Sequence, residues 1–555
     1  MTALPGKPFG TENFSLRGGG IDFLGLRWVN LTIVGRDLLP ELNNVTTDMG
    51  TFFLGGWIPW KFRQLCTSEK DYTEKNYKLF REKAEVALSL TFRDELNIPR
   101  DCGVTRNRVG ITQKCSLPAK LSFKEAKRTD QNSLYAAAIY GPALGALGFI
   151  KAYHSQAKQG AKPLNIPVPG DDPETVRLMK GVDESLRRTK SYSMLATLDS
   201  TEFKETDIRK LAEAGLDPAR YRSRSYSSLK ECFRRKLLPG PSADDISFRR
   251  TLTTRLVIAT LKQRDAMTAQ ELRDTWYTRM LPNGKKFQST DPVHADHAQR
   301  WSCFMARQYQ RYAIELFLWC FEDAIGHGSR SIENVIDHWT KRTHAAGQNL
   351  KGTFATIAAE HAGPLSKGDE EMISRAWNQN VHSEHQLFEY VHEPQDDNAV
   401  IHGLRMLAGW YWRMLVRQYD EKAKPLMMLG GADRMSMTWF LQWLCDRKNR
   451  PLSDLLRDIF SDLIFSQHMR VALARFDGSA QRLRFLVGDG GIEPTESARS
   501  DIGNLRLPWM PDRLDTVAGL LCDCDVLVEN DDQTFSLGPS AATVEHSKPT
   551  DRVFG

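Results

Sequence analysis

Met305-Ala306-Arg307-Gln308-Tyr309-Gln310-Arg311-Tyr312-Ala313-Ile314-Glu315-Leu316-Phe317-Leu318-Trp319 decides the fold class. Its apolar positions Met305, Tyr309, Tyr312, Leu316 and Trp319 recur at steps of four, three, four and three, the track of one helix face. Arg307, Arg311 and Glu315 follow at steps of four on another face, where Arg311 and Glu315 can pair. The same period returns at Leu404, Leu407, Tyr411, Leu415 and Tyr419. Two more helices are expected from Met435 to Cys445 and from Leu452 to Phe476, the second starting at Pro451 because proline cannot continue a helix interior. Strand signals are few. Arg482 to Val487 leads into the turn Gly488-Asp489-Gly490-Gly491. Val526 to Val528 and Thr534 to Leu537 flank the acidic turn Glu529-Asn530-Asp531-Asp532 and read as a hairpin. The fold class is therefore mainly α: a multi-segment helical protein with a small winged-helix-like α+β unit at the C-terminus.

The chain has 555 residues, 41% of them hydrophobic, which excludes a disordered protein. At roughly 100–200 residues per domain this suggests about three or four folding units. Gly/Pro/Asp-rich linkers at Gly160 to Asp172, Pro239 to Asp245 and Pro282 to Pro292 mark boundaries. They divide the chain into a flexible lead-in (1–20), an N-terminal helical domain (21–170), a basic middle segment (171–290), a helical domain (291–478), the winged-helix-like unit (479–538) and a polar, disordered tail (539–555). The most apolar run, Leu134 to Phe149, is broken by Gly141, Pro142, Gly145 and Gly148 and is too short to span a membrane. It reads as a buried helix or helix pair. The first twenty residues lack an apolar signal region. Nine cysteines without a CxxC pair fit a reducing cytosol, and Cys522-Asp523-Cys524 is too tight for a zinc knuckle. A cytoplasmic chain is expected.

Ile21-Asp22-Phe23-Leu24-Gly25-Leu26 leads into Leu38-Leu39-Pro40-Glu41-Leu42-Asn43-Asn44-Val45-Thr46. The aromatic stretch Phe52-Phe53 to Trp57 and Trp60 follows, then Ser133-Leu134-Tyr135, Tyr140-Gly141-Pro142 and Leu147-Gly148. This order resembles a family of bacterial proteins encoded in anti-phage defence islands, near helicase or restriction genes. The resemblance covers mainly the first 150 residues, and it implies a setting and other defence-system proteins as partners, without functional residues to carry over. Read from the residues alone, Leu38 to Thr46 is a helix end, a turn and a new start, with Asn44 or Thr46 as cap. The alternative is a polar pocket lined by Asn43, Asn44 and Thr46.

The net charge is only +6, from 75 basic and 69 acidic residues, so its placement matters more than its sum. Arg220, Arg222, Arg224, Lys230, Arg234, Arg235 and Lys236 stand against Glu231 alone, with Tyr221 and Tyr226 interleaved. Arg249, Arg250, Arg255, Lys262 and Arg264 follow. Arginines neutralise phosphates and tyrosines stack on bases, so this segment is the candidate DNA or RNA contact. The plain alternative is a solvated face, since no base-reading motif accompanies it. The C-terminal unit, a helix from Asp512 to Cys524 and a hairpin, carries Asp512, Asp515, Asp523, Asp525, Glu529, Asp531 and Asp532 against Arg513. That charge repels a phosphate backbone and suits a structural or protein-binding wing.

His385, Glu389 and His392, near His382 and Glu384, would share one helix face and could hold zinc or iron, although a polar surface helix explains them as well. His294-Ala295-Asp296-His297 after Pro292 reads as a helix start. Glu125-Ala126-Lys127 matches the acid-x-lysine step of metal-dependent nucleases, with Asp101 upstream and Leu121 to Phe123 as the candidate strand. A three-residue match arises readily by chance. No GxxxxGK[ST], GxGxxG or GxSxG element is present, which argues against ATP hydrolysis. Together these features favour a non-catalytic subunit of a defence system that contacts nucleic acid and works with a separate helicase or nuclease, with no cofactor. The alternatives are a metal-dependent nuclease and an interaction scaffold without nucleic acid.

Overall fold

A computed structural model describes residues 22–91, 120–122, 133–136, 140–151, 166–198, 202–240, 246–289, 291–362, 397–417, 421, 423–474, 483–499 and 512–545. Helices dominate these residues, and the strands form four two-stranded antiparallel pieces among them. No helix is long and apolar enough to cross a membrane among the described residues. The chain divides into two compact units, one holding Leu39–Ala269 with Asp512–Gly555, the other Gln270–Pro511 with the described part of Phe14–Leu38. The expected N-terminal and basic segments therefore share one unit from Leu39 to Ala269, while their outer ends, up to Leu38 and from Gln270, belong to the other. The expected winged-helix unit is split between two: its first hairpin, Phe485–Gly488 with Gly491–Pro494, belongs to the second unit, and its helix Leu514–Asp523 and last hairpin belong to the first. Hydropathy along a chain marks elements, whereas unit membership depends on which distant elements share a core.

The first unit is built around helix Met49–Leu65, buried along almost its whole length. Asp48 caps it, accepting from the Thr51 amide at 3.0 Å, where Asn44 or Thr46 was expected. Those two belong to the turn before it, in which Asn43 Oδ1 accepts from the Val45 amide at 3.0 Å. Gly55 and Gly56 let neighbours approach closely: a Cβ at Gly56 would stand 2.8 Å from Met179 Sδ. Phe52 and Phe53 pack with Tyr140, Phe149, Tyr221 and Phe233 into an aromatic cluster. Among its described residues, the apolar run expected as a helix or helix pair gives one short helix, Gly141–Ala146, opened by Pro142 and followed by Gly148 in the left-handed region. At the C-terminal end, Leu527–Glu529 pairs with Phe535–Leu537 as expected, and Phe535 bridges to Met267. The part of the tail expected to be disordered contains helix Ala541–Glu545, because Ala541 and Val544 are buried.

In the second unit, helix Pro292–Gly326 is capped by Asp291 and buried on every side from Trp301 to Ile325. Its expected polar face is inside as well, since a helix wrapped by neighbours has no solvated side. Arg307 donates to the carbonyls of Arg434 and Met435 and to Gln310 Oε1, the last at 2.7 Å. The expected Arg311–Glu315 pair forms at 3.8 Å, with Arg27 joining at 3.5 Å. Around this axis pack helices Arg27–Ile33, Ile332–Ala345 and Ala399–Val416. Leu415, expected on the apolar face of the last, is exposed. After Pro451 the chain runs as Leu452–Asp458, a π-helical stretch Ile459–Ser466 and Gln467–Ala474.

Candidate functional site

The basic segment Arg220–Lys236 begins where Gly215 turns the chain at φ +120°. Asp217 accepts from the Ala219 amide at 3.0 Å and caps the 3-10 turn Pro218–Arg222. That turn carries Tyr221 into the core, edge-on to Phe53 at 5.2 Å. A second short turn leads into helix Ser227–Leu237, whose Phe233 joins the same cluster. Of the two tyrosines expected to stack on bases, Tyr221 is fully buried, and Tyr226 shares a hydrogen bond with Ser185 Oγ at 2.8 Å.

The cations are engaged with the same unit. Arg222 meets Asp48 Oδ2 at 3.0 Å and Asp523 Oδ1 at 2.6 Å. Lys230 is buried and meets Asp525 at 2.9 Å. Arg234 pairs with Glu231, and Arg235 with Glu174 and Glu231. Lys236 reaches Asp172 at 2.9 Å and the Leu147 carbonyl at 3.3 Å. Arg220 donates to the Glu213 carbonyl at 3.2 Å. Arg224 is exposed, and no carboxylate among the described residues pairs with it. Downstream, Arg250 is buried and donates to Glu41 and to the Leu237 carbonyl, the latter at 3.0 Å. Arg249, Arg255, Lys262 and Arg264 also have partners.

The acidic C-terminal helix explains part of this arrangement. Asp523 and Asp525, read from sequence as repelling phosphate, are counter-charges for Arg222 and Lys230. Asp523 Oδ2 accepts from the Met49 amide at 2.9 Å, so two carboxylates and one guanidinium gather at the start of helix Met49–Leu65. Burial pushes the Asp523 carboxyl up to about 7, and the adjacent Asp48 charge adds to the rise, while Arg222 opposes it. Burial raises Asp48 too. The two titrate as a pair. Sequence reading missed this clasp because Asp48, Arg222 and Asp523 meet only through tertiary folding.

A groove of about 640 Å³ lies beside helix Pro173–Leu186, and its lining includes Asp171, Arg177, Lys180 and Glu184. It shows no convergence of one charge sign. The start of helix Pro292–Gly326 lies at His294-Ala295-Asp296-His297, as expected. Strand Lys120–Ser122 overlaps the expected one and pairs with Glu202–Lys204. Asp101, Glu125 and Lys127, and His382, Glu384, His385, Glu389 and His392, lie outside the described residues. No family model matches the chain, and neither the curated proteins nor the solved structures give a match.

Proposed function

We propose that this chain is a non-catalytic, helical protein-interaction subunit that does not grip nucleic acid through Arg220–Lys236. The observation that carries this reading is the use of the segment's charge. Arg222, Lys230, Arg234, Arg235 and Lys236 are neutralised by carboxylates of their own unit, and Arg220 serves a backbone carbonyl. Binding a phosphate backbone draws its free energy from releasing counterions when cations neutralise phosphates. A cation already paired with an internal carboxylate would have to break that pair first. A tyrosine buried in an aromatic core cannot stack on a base without unfolding its turn. The N-terminal pattern supplies the proposed setting, a bacterial defence assembly in which a separate helicase or nuclease does the chemistry. The purified chain should bind DNA and RNA weakly, and reversing the exposed Arg220, Arg224 and Arg235 to Glu should not change that binding. A reversal that abolishes strong, salt-sensitive binding would restore the nucleic-acid reading.

A further inference from the structure

The corner between helices Pro292–Gly326 and Ile332–Ala345 of the second unit brings three metal-ligating side chains together. Asp323 lies in the last turn of the first helix, and His327, four residues on, is its C-cap. Gly328, at φ +95°, turns the chain, and Ser331 caps the second helix by accepting from the Asn334 amide. Trp339 Nε1 donates to the Cys320 carbonyl at 2.7 Å and fixes the two helices against each other. This places His338 beside Asp323.

We propose that the second unit binds a divalent transition-metal ion of the zinc class through Asp323, His327 and His338. Each offers a ligand atom, and these atoms all lie within 4.8 Å of one another. His338 Nε2 stands 3.4 Å from Asp323 Oδ2, and His327 Nδ1 stands 3.6 Å from Asp323 Oδ1. Ligand atoms about 2.0–2.1 Å from zinc at tetrahedral angles are about 3.4 Å apart, so the His338–Asp323 edge through Oδ2 already has its length, while His327 now faces the other carboxylate oxygen and must close in from within 4.8 Å. The imidazole rings are 5.5 Å apart and inclined by only 30°. His338 Nε2 is shielded from solvent without a partner in hydrogen-bond geometry. The His327 side chain is 61% exposed and its Nδ1 rests 2.8 Å from the Asp323 carbonyl. Nδ1 donates to that carbonyl, so to ligate it must give up this bond and its proton, which the exposed ring can do by swinging toward the other two ligands.

The surroundings suit such a site. Arg342 Nη1 donates to Asp323 Oδ2 at 2.6 Å, the kind of outer partner that orients a ligating carboxylate. Its guanidinium is offset by Asp397 at 2.7 Å and lies 4.7 Å from the Trp339 ring centre. Two imidazoles and one carboxylate select zinc, cobalt or nickel over magnesium or calcium, which prefer all-oxygen shells. Three protein ligands leave one position for water.

The test titrates chelator-stripped full-length protein with Zn²⁺ by calorimetry and with Co²⁺ by visible absorption. The proposal expects about one equivalent of Zn²⁺, cobalt bands of a low-coordinate nitrogen and oxygen site, and no competition from excess Mg²⁺. His327→Ala changes an exposed side chain and should weaken Zn²⁺ binding by at least about tenfold, as should Asp323→Asn. A His385→Ala/His392→Ala variant should bind like wild type. The proposal is overturned if wild type takes up no more Zn²⁺ than His327→Ala, or if the His385/His392 variant alone loses the ion.

Discussion

Replacing Arg222 with Ala removes a cation shared by Asp48 and Asp523 and leaves two carboxylates close together at the start of helix Met49–Leu65. Their side chains are 10% and 6% exposed, whereas that of Arg222 is 53% exposed. Removing one partner of a buried ion pair costs about 3–5 kcal/mol. Water reaches half of the Arg222 side chain and screens part of the attraction, so a loss below that range, about 2–3 kcal/mol, is expected at pH 8. The pH dependence follows from the raised carboxyls. The Asp523 carboxyl stands at about 7 in the fold and would return to its ordinary value of 3.8 on unfolding. The folded state therefore binds the proton more tightly, and stability falls as pH rises from about 4 to about 7, by at most about 1.4 kcal/mol per pH unit. Without Arg222 both carboxyls rise further, so the fall becomes steeper and extends to higher pH. Urea unfolding at pH 5, 6.5 and 8, read together with hydrogen exchange at the Met49 and Thr51 amides, should show the variant close to wild type at pH 5 and well below it at pH 8. Asp523→Asn, which keeps an acceptor for the Met49 amide, should flatten the profile. Equal stability of Arg222→Ala and wild type at pH 8 would refute the clasp.

Two further changes test the packing. Gly56→Ala should cost about 1–3 kcal/mol, because its Cβ meets Met179 and Phe149 within 2.9 Å, and Gly50→Ala should cost more, because its Cβ meets the rigid Pro218 backbone; thermal unfolding checks both. In the second unit Glu322 binds Arg484 in bidentate fashion at 2.7 and 2.9 Å with both side chains buried, so Glu322→Gln should cost about 3–5 kcal/mol in urea unfolding, whereas Glu322→Leu with Arg484→Met should recover most of that loss.

The helices were legible because their information is local. The four-three spacing from Met305 to Trp319, the start after Pro451 and the hairpin around Glu529 to Asp532 each depend on neighbours in the chain. The fate of the charges was not legible. Lys230 and Asp525 are separated by 295 positions, so a basic run and an acidic run looked like two surfaces when they are halves of one ion-paired contact. The burial of Arg307 and Arg311 was not legible either, because helix periodicity cannot reveal how many neighbours surround a helix. Asp323 and His327 carry a signal, an i, i+4 pair of ligating residues, but the third ligand comes from the next helix, and only the turn at Gly328 brings His338 beside them.

The central claim is that the cations of Arg220–Lys236 hold the first unit together and leave little charge for phosphate. Its most direct test is fluorescence anisotropy of the full chain with single- and double-stranded DNA and with RNA across a salt series, beside a variant carrying Arg220→Glu, Arg224→Glu and Arg235→Glu. Arg220 serves only a backbone carbonyl, and Arg235 meets Glu174 and Glu231 in solvent-screened pairs worth at most about 1 kcal/mol each, so the variant keeps the buried pairs of Arg222 and Lys230 and should stay folded. The account predicts weak binding that is the same for both proteins. Tight binding whose logarithm falls steeply and linearly with the logarithm of salt, and which the variant loses, would contradict it.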